Sequence, residues 1–192
     1  MQIQISSMIA ENLPLSQEEA QLVDELIPVK TFSKGHLLLE EGQVARRCFF
    51  LIEGCVRSFQ LLDGVEHTTA IYLEEDSIAS MDSYLQQKPA NHYLECLETS
   101  TLAVLPFDNE KKLYQRIPQL ESLCRDYMEA AFAAQQAHYA SLLLFSAELR
   151  YKKIMETQPK LIHRVPQYIL ASYLGIKAES LSRIRKRIAK DI

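Results

Sequence analysis

One hundred and ninety-two residues suffice for one large domain or two small ones, with a core that needs no covalent staples. The 47% hydrophobic and 24% charged content is that of an ordinary globular protein, and no apolar run approaches the roughly 20 residues needed to span a bilayer, so no membrane role and a cytoplasmic location are expected. The net charge of -4 is unevenly spread: residues 1–108 hold 6 Lys/Arg against 17 Asp/Glu, whereas residues 160–192 hold 8 against 2, so an acidic body with a basic tail points to two jobs, one of them on a polyanion.

The first predicted helix is announced by Ser16 with Glu19 three residues on, a capping box ahead of Ala20, Leu22, Val23 and Leu26. From Pro28 to Phe107 the pattern changes to short β-type runs: "LLLEEG", "CFFLIEG", "CVRSFQLL", "VEHTTAIYL", "YLECLE" and "TLAVLPF". Asp63-Gly64 between two of these runs favours a tight hairpin, because both positions tolerate positive φ, and Gly35, Gly42 and Gly54 punctuate the others. Short, regularly spaced strands predict an antiparallel β-roll of the double-sheet, jelly-roll kind. Cys48, Cys55, Cys96 and Cys124 show no C-x-x-C pairing, so reduced thiols and no metal are expected.

Between Pro118 and Gln158 there is no Gly or Pro, and one long helix, or two joined near Ser146, should fill the span. Leu120, Cys124, Tyr127, Ala131, Ala134, His138, Ser141 and Phe145 follow a 3/4 spacing. The stripe from Tyr127 through Ala131, Ala134 and His138 to Ser141 suits a dimer seam in one reading and packing on the chain's own roll in the other. Pro159 should end this span, "LIHRV" should run extended, and Pro166 should sit in the first turn of a further helix.

Around Gly175 the apolar and small residues fall at fixed offsets: Leu170, Ala171 and Leu174 before it, Ile176, Leu181 and Ile184 after it. Ala171 is small where two helices cross, Gly175 supplies a positive-φ turn, and the others fill a shared core, which predicts a helix-turn-helix. At about 100° per residue the second helix turns Leu181, Ile184 and Ile188 inward and Glu179, Ser182, Arg183 and Lys186 outward, with Arg187 at the edge and Arg185 nearer the inward side. Such an outward row fits a DNA major groove: Glu179, Ser180 and Arg183 are the predicted base readers, and Lys177, Ser182, Lys186 and Arg187 the predicted phosphate contacts. The plain alternative is a solvated amphipathic helix with incidental charge.

A β-roll, a long helix and a C-terminal helix-turn-helix, in that order, resemble the Crp/Fnr family of bacterial transcription regulators. The resemblance rests on "GHLLLEEGQVARRCFFLIEGCVRSF" (Gly35 to Phe59) and "ASYLGIKAESLSRIRK" (Ala171 to Lys186). It implies an α+β chain: a cyclic-nucleotide-binding-like sensor roll over residues 1–117, a dimerisation helix over 118–145 and a DNA-binding helix-turn-helix over 146–192. It also implies a homodimer on a near-palindromic duplex and a small effector in the roll; no enzymatic activity is expected, since no His/Glu ligand set, nucleophile–base pair or glycine-rich phosphate loop stands out. Glu179 and Arg183 match the family's base-contacting Glu and Arg, while Ala178 stands where some members have another arginine. Ala79 and Ser80 replace the Gly-Glu pair that holds a cyclic nucleotide's ribose, and Asn91 and His92 stand where the phosphate-binding arginine belongs. These four are the candidate effector-pocket residues; cyclic AMP is not expected to bind, and no cofactor is identified. Members often continue into a β-hairpin wing, which is not expected after Ile192, and Lys177 occupies a place where Ser, Thr or Asp would cap the helix. The competing reading is a ligand-binding or protein-interaction module with a vestigial helix-turn-helix.

Overall fold

The computed structural model describes residues 3–190. In chain order the elements are α1 Ile5–Ala10, α2 Gln17–Leu26, β1 Val29–Phe32, β2 Leu37–Leu39, β3 Arg47–Glu53, β4 Val56–Leu62, β5 Val65–Tyr72, β6 Ser77–Ile78, α3 Met81–Gln86, β7 Tyr93–Cys96 and β8 Ser100–Pro106. The helices α4 Phe107–Arg116, α5 Gln119–Leu144, α6 Ala147–Thr157, α7 Pro159–Arg164, α8 Gln167–Tyr173 and α9 Ala178–Ile188 follow. These form two compact units: one holds the chain to Val56 together with Tyr72–Phe132, the other Arg57–Ile71 together with the chain from Ala133.

In the first unit the predicted capping box opens α2. Ser16 Oγ accepts from the Glu19 N–H, and the Glu19 carboxylate accepts from the Ser16 hydroxyl at 2.7 Å and the Ser16 N–H at 2.8 Å, bonds that hold that carboxyl below its usual range. Helix α1, which lacks a side-chain cap and was not foreseen, is tied down instead by Ser6, whose N–H and Oγ donate to the Asp24 carboxylate at 3.0 and 2.7 Å. One antiparallel sheet runs β1-β8-β3-β6, and β2 pairs with β7. Alternation along β3 turns Phe49 and Leu51 into a core completed by Leu39, Ile78, Leu94, Leu102 and Val104. A second cluster joins Ile5, Val23, Ala103, Leu113, Ile117 and Leu120, so α1, α2, α4 and the start of α5 bury their apolar stripes against β8. The antiparallel sheets and the long helix match the predicted α+β class; β1, β6, α3 and α4 are additional elements.

The second unit begins with the β4–β5 hairpin, whose Asp63 and Gly64 both take positive φ, 53° and 76°, as the two-residue link requires. Arg57 is buried in it, paired with Glu66 at 2.6 Å and lying over the Phe59 ring at 4.2 Å. Ser146 separates α5 from α6 and caps the latter, its Oγ accepting from the Leu149 N–H.

Two local expectations are corrected. "LIHRV" is not extended: Leu161 to Arg164 belong to α7, because Pro159 occupies the first helical turn, where its missing N–H costs nothing, instead of only ending α6. Pro166 is the N-cap of α8, one residue before the predicted position.

Candidate nucleic-acid interface and effector cavity

Leu170, Ala171, Leu174 and Leu181 are at most 1% exposed and Ile184 is 7% exposed, so the predicted helix-turn-helix core is a packed core. Ile176 is half-buried beside it, with its N–H donating to the Ala171 carbonyl across the turn. Gly175 takes φ +67°, the left-handed conformation that closes a helix most cheaply when no Cβ is present. Lys177 is the N-cap of α9 and makes no side-chain cap bond, as its chemistry dictates.

With its buried stripe fixed, α9 leaves Glu179, Ser182, Arg183, Lys186 and Arg187 exposed and Ser180 half-buried. Arg185 is exposed as well, which corrects the inward placement, because the buried stripe of Leu181, Ile184 and Ile188 is narrow enough to leave its edge in solvent. Arg183 has no carboxylate partner among the described residues; its guanidinium donates only to Ser180 Oγ at 3.3 Å, within the same helix turn. Arg187 instead pairs with Glu148 of α6 at 2.8 Å, and the same carboxylate meets Lys152 at 3.3 Å. The basic face of α9 thus divides into side chains open to solvent and one engaged by the protein itself.

Of the five residues on the predicted dimer stripe, three have partners in their own chain. Tyr127 meets Phe50 edge-on with centroids 6.2 Å apart, His138 stacks on Tyr173, and Ser141 Oγ donates to the His138 carbonyl at 2.7 Å. Ala131 and Ala134 are exposed. The large bare apolar groups lie on another face of α5: Phe132 is 66%, Tyr139 53% and Leu143 86% exposed. Their i, i+7, i+11 spacing makes a single stripe.

In the first unit a cavity of about 220 Å³ is walled by Leu38, Leu39, Val44, Phe49 and Leu94, with Gln43, Ser80, Arg46 and Arg47 as its polar lining. Of the four candidate effector residues only Ser80 reaches it. Ala79 does not line it, and Asn91 and His92 bond to each other at 3.2 Å outside it. Burial lowers the His92 pKa, which keeps that ring neutral. The arginines of the cavity come from the start of β3, a place that the phosphate-cassette offsets do not reach; the adjacent Arg46-Arg47 pair was the available signal. Elsewhere in this unit Glu110 accepts from Tyr84 Oη at 2.8 Å and Tyr114 Oη at 3.0 Å. Burial pushes the nearby Cys48 thiol up to about 12 and also raises Cys124, so both are poor nucleophiles. All four cysteines are free thiols. No helix among the described residues is long and apolar enough to cross a membrane.

The chain thus combines an antiparallel β-roll, a long helix and a helix-turn-helix with an open basic face, an arrangement suited to a DNA-binding regulator. The description "Cyclic nucleotide-binding domain" matches residues 29–116. The chain is 24% identical to the regulatory protein HlyX of Actinobacillus pleuropneumoniae, over 92% of this chain and 78% of that protein. It is 23% identical to the fumarate and nitrate reduction regulatory protein of Yersinia pestis, over 92% of this chain and 75% of that one. Among solved structures, the c-di-GMP responsive regulator CLP of Xanthomonas campestris superposes with a TM-score of 0.72 at 14% identity, covering 92% of this chain and 93% of that one. A CooA mutant from Carboxydothermus hydrogenoformans gives 0.68 at 15% identity, covering 95% and 83%. In sequence the chain is thus similar, at 24% identity or below, to transcription regulators of the Crp/Fnr type, and in fold to CLP and CooA.

Proposed function

We propose that this chain is a homodimeric, sequence-specific DNA reader that works in the cytoplasm and has no catalytic role of its own. Residues 1–117 serve as a sensor roll, 118–145 as the dimer helix and 146–192 as the reader. The observation that carries this reading is the exposed row of Glu179, Arg183 and Lys186 on α9, held outward by a buried helix-turn-helix core. Arg183 suits a bidentate pair to guanine and Glu179 suits the amino group of cytosine, while Ser180 supports the Arg183 fork. Lys177, Ser182 and Lys186 suit phosphate contacts, and Arg187 would join them on leaving Glu148. The bare stripe of Phe132, Tyr139 and Leu143 favours a second copy of the chain as the partner of α5.

The test is selection of bound duplexes from a random library with purified protein. A palindrome with half-sites about one helical turn apart is expected. Arg183→Ala should then lose about 10- to 100-fold at the base pair it reads, from the roughly 1–3 kcal/mol of a bidentate contact, whereas Lys186→Ala should weaken all sequences alike and flatten the salt slope. Retention of full sequence preference by Arg183→Ala would instead favour the interaction-module reading.

The effector is not cyclic AMP in this proposal. A cyclic phosphate needs a charge-assisted clamp where Asn91 and His92 stand, and an uncompensated phosphate in a half-buried pocket costs several kcal/mol. Isothermal titration of the protein with millimolar cyclic AMP is expected to give no saturable heat; a binding isotherm in the micromolar range would refute this. An effector smaller than a nucleotide, bearing a negative group toward Arg46 or Arg47, fits the 220 Å³ cavity better.

A further inference from the structure

Three consecutive residues at the end of α8, the first helix of the helix-turn-helix, are each held by a different element of the second unit. Ser172 Oγ accepts from the Thr68 N–H at 2.9 Å and donates to the Glu66 carbonyl at 3.3 Å, both on β5. The Tyr173 ring stacks on His138 of α5 with centroids 4.6 Å apart and planes within 5°, and its Oη lies 3.2 Å from His138 Nδ1. The Leu174 carbonyl accepts from Nη2 of Arg150, on α6, at 2.6 Å.

Arg150 does more than close α8. Its Nη1 also donates to the carbonyls of Leu142, at 3.3 Å, and Phe145, at the end of α5. Both helix ends leave carbonyls without intrahelical partners and carry partial negative charge, so one guanidinium satisfies and neutralises two C-termini at once. A planar fork with donors at fixed angles does this only for one relative orientation of the two helices. Its Nε–H is buried and has no partner among the described residues, so the fork is committed to the two carbonyl sets at the expense of its third edge. Burial, and after it the Arg150 charge, lowers the pKa of His138, the ring stacked on Tyr173, and so disfavours its charged form.

We propose that Arg150 is a positioning residue for DNA reading: it fixes the angle between the end of α5 and the helix-turn-helix, and so sets the half-site spacing that a dimer accepts. The inference rests on the dimeric DNA-reading assignment above. Arg150 touches neither a base nor a phosphate in this role and acts only through the orientation of α8 and, behind it, α9.

The experiment uses the full chain and duplexes bearing the two half-sites recovered for wild type, at the recovered spacing and at spacings one and two base pairs longer and shorter. Wild type is expected to prefer its own spacing at least about tenfold. Arg150→Gln, which removes the charge and the fork, is expected to reduce that preference to less than about threefold while leaving the base preference at the Arg183 position unchanged, a separation that general destabilisation would not produce. Unchanged spacing preference in Arg150→Gln overturns the proposal. Should that variant fail to give a folded dimer by circular dichroism and sedimentation, Arg150→Lys takes its place: an ammonium keeps the charge but not the fork, so a relaxed spacing preference supports the proposal and a wild-type one overturns it. Recovery of no operator by wild type is a distinct result that removes the DNA-reading assignment, and this proposal with it, before any variant is compared.

Discussion

Gly54→Ala is expected to destabilise the protein by about 3–5 kcal/mol, a large share of the roughly 5–15 kcal/mol that holds a domain of this size together. Gly54 links β3 to β4 at φ +117°, a conformation that L side chains rarely adopt, and strain of that kind costs about 1–3 kcal/mol. A Cβ there would also lie 2.6 Å from the Ser100 Cα, inside van der Waals contact with backbone that cannot rotate away, which adds an overpacking cost of about 1–3 kcal/mol. Ser100 cannot retreat freely: it is fully buried, its Oγ donates to the Glu98 carbonyl at 2.9 Å, and it accepts from the Cys55 N–H at 3.3 Å. Urea denaturation of both proteins measures the loss. Gly42→Ala is the control, since Gly42 has φ +86° but nothing within 4 Å of an added Cβ, and about 1–2 kcal/mol is expected there from backbone strain alone. Equal losses at the two positions would show that the Ser100 contact relaxes away.

The second large effect is on assembly. Tyr139→Glu with Leu143→Glu is expected to convert the proposed dimer to a monomer by sedimentation and to weaken binding to the proposed operator by more than about 100-fold. Each side chain buried at a two-fold seam counts twice, and a large apolar group contributes about 1.5–3 kcal/mol on burial, so losing four of them while adding four carboxylates exceeds what a dimer of ordinary affinity can absorb. Neither residue belongs to a buried core, Tyr139 and Leu143 being 53% and 86% exposed, so the monomer should keep its thermal transition within a few degrees. A variant that remains dimeric would move the seam to another face of α5 and return weight to Ala131 and Ala134.

The parts of the fold that were legible in the sequence are those written in local pattern. Ser16 and Glu19 announce α2, Asp63-Gly64 announces a hairpin, and the run from Leu170 to Ile184 around Gly175 specifies two packed helices, because caps, positive-φ turns and helical spacing act over fewer than a dozen residues. What escaped depends on distant partners. Helix α1 is short and uncapped, and stands through Ser6 and Asp24, eighteen residues apart. The dual role of Arg150 needs the end of α5 and the end of α8 to meet, and nothing in "AELRYKK" signals it. Helix α7 was misread because proline is ambiguous: Pro159 stops α6 and starts α7 in the same place. At the candidate effector cavity Ser80 was within reach of family offsets, whereas Arg46 and Arg47 were not.

The engagement of Arg187 by Glu148 bears on how the protein would distribute itself over a chromosome. Adhesion to arbitrary DNA grows with the number of phosphates neutralised, so a side chain already paired within the protein adds little to it until an exchange of partners is worthwhile. At a matched site, where the proposed readers Glu179 and Arg183 would hold α9 in the groove, a nearby phosphate would replace the Glu148 carboxylate; along unmatched DNA no such hold would favour the exchange. Less of the protein would then be parked on the vast excess of wrong sites, and a given number of copies would occupy its operators more fully than the basic count of its last helix suggests.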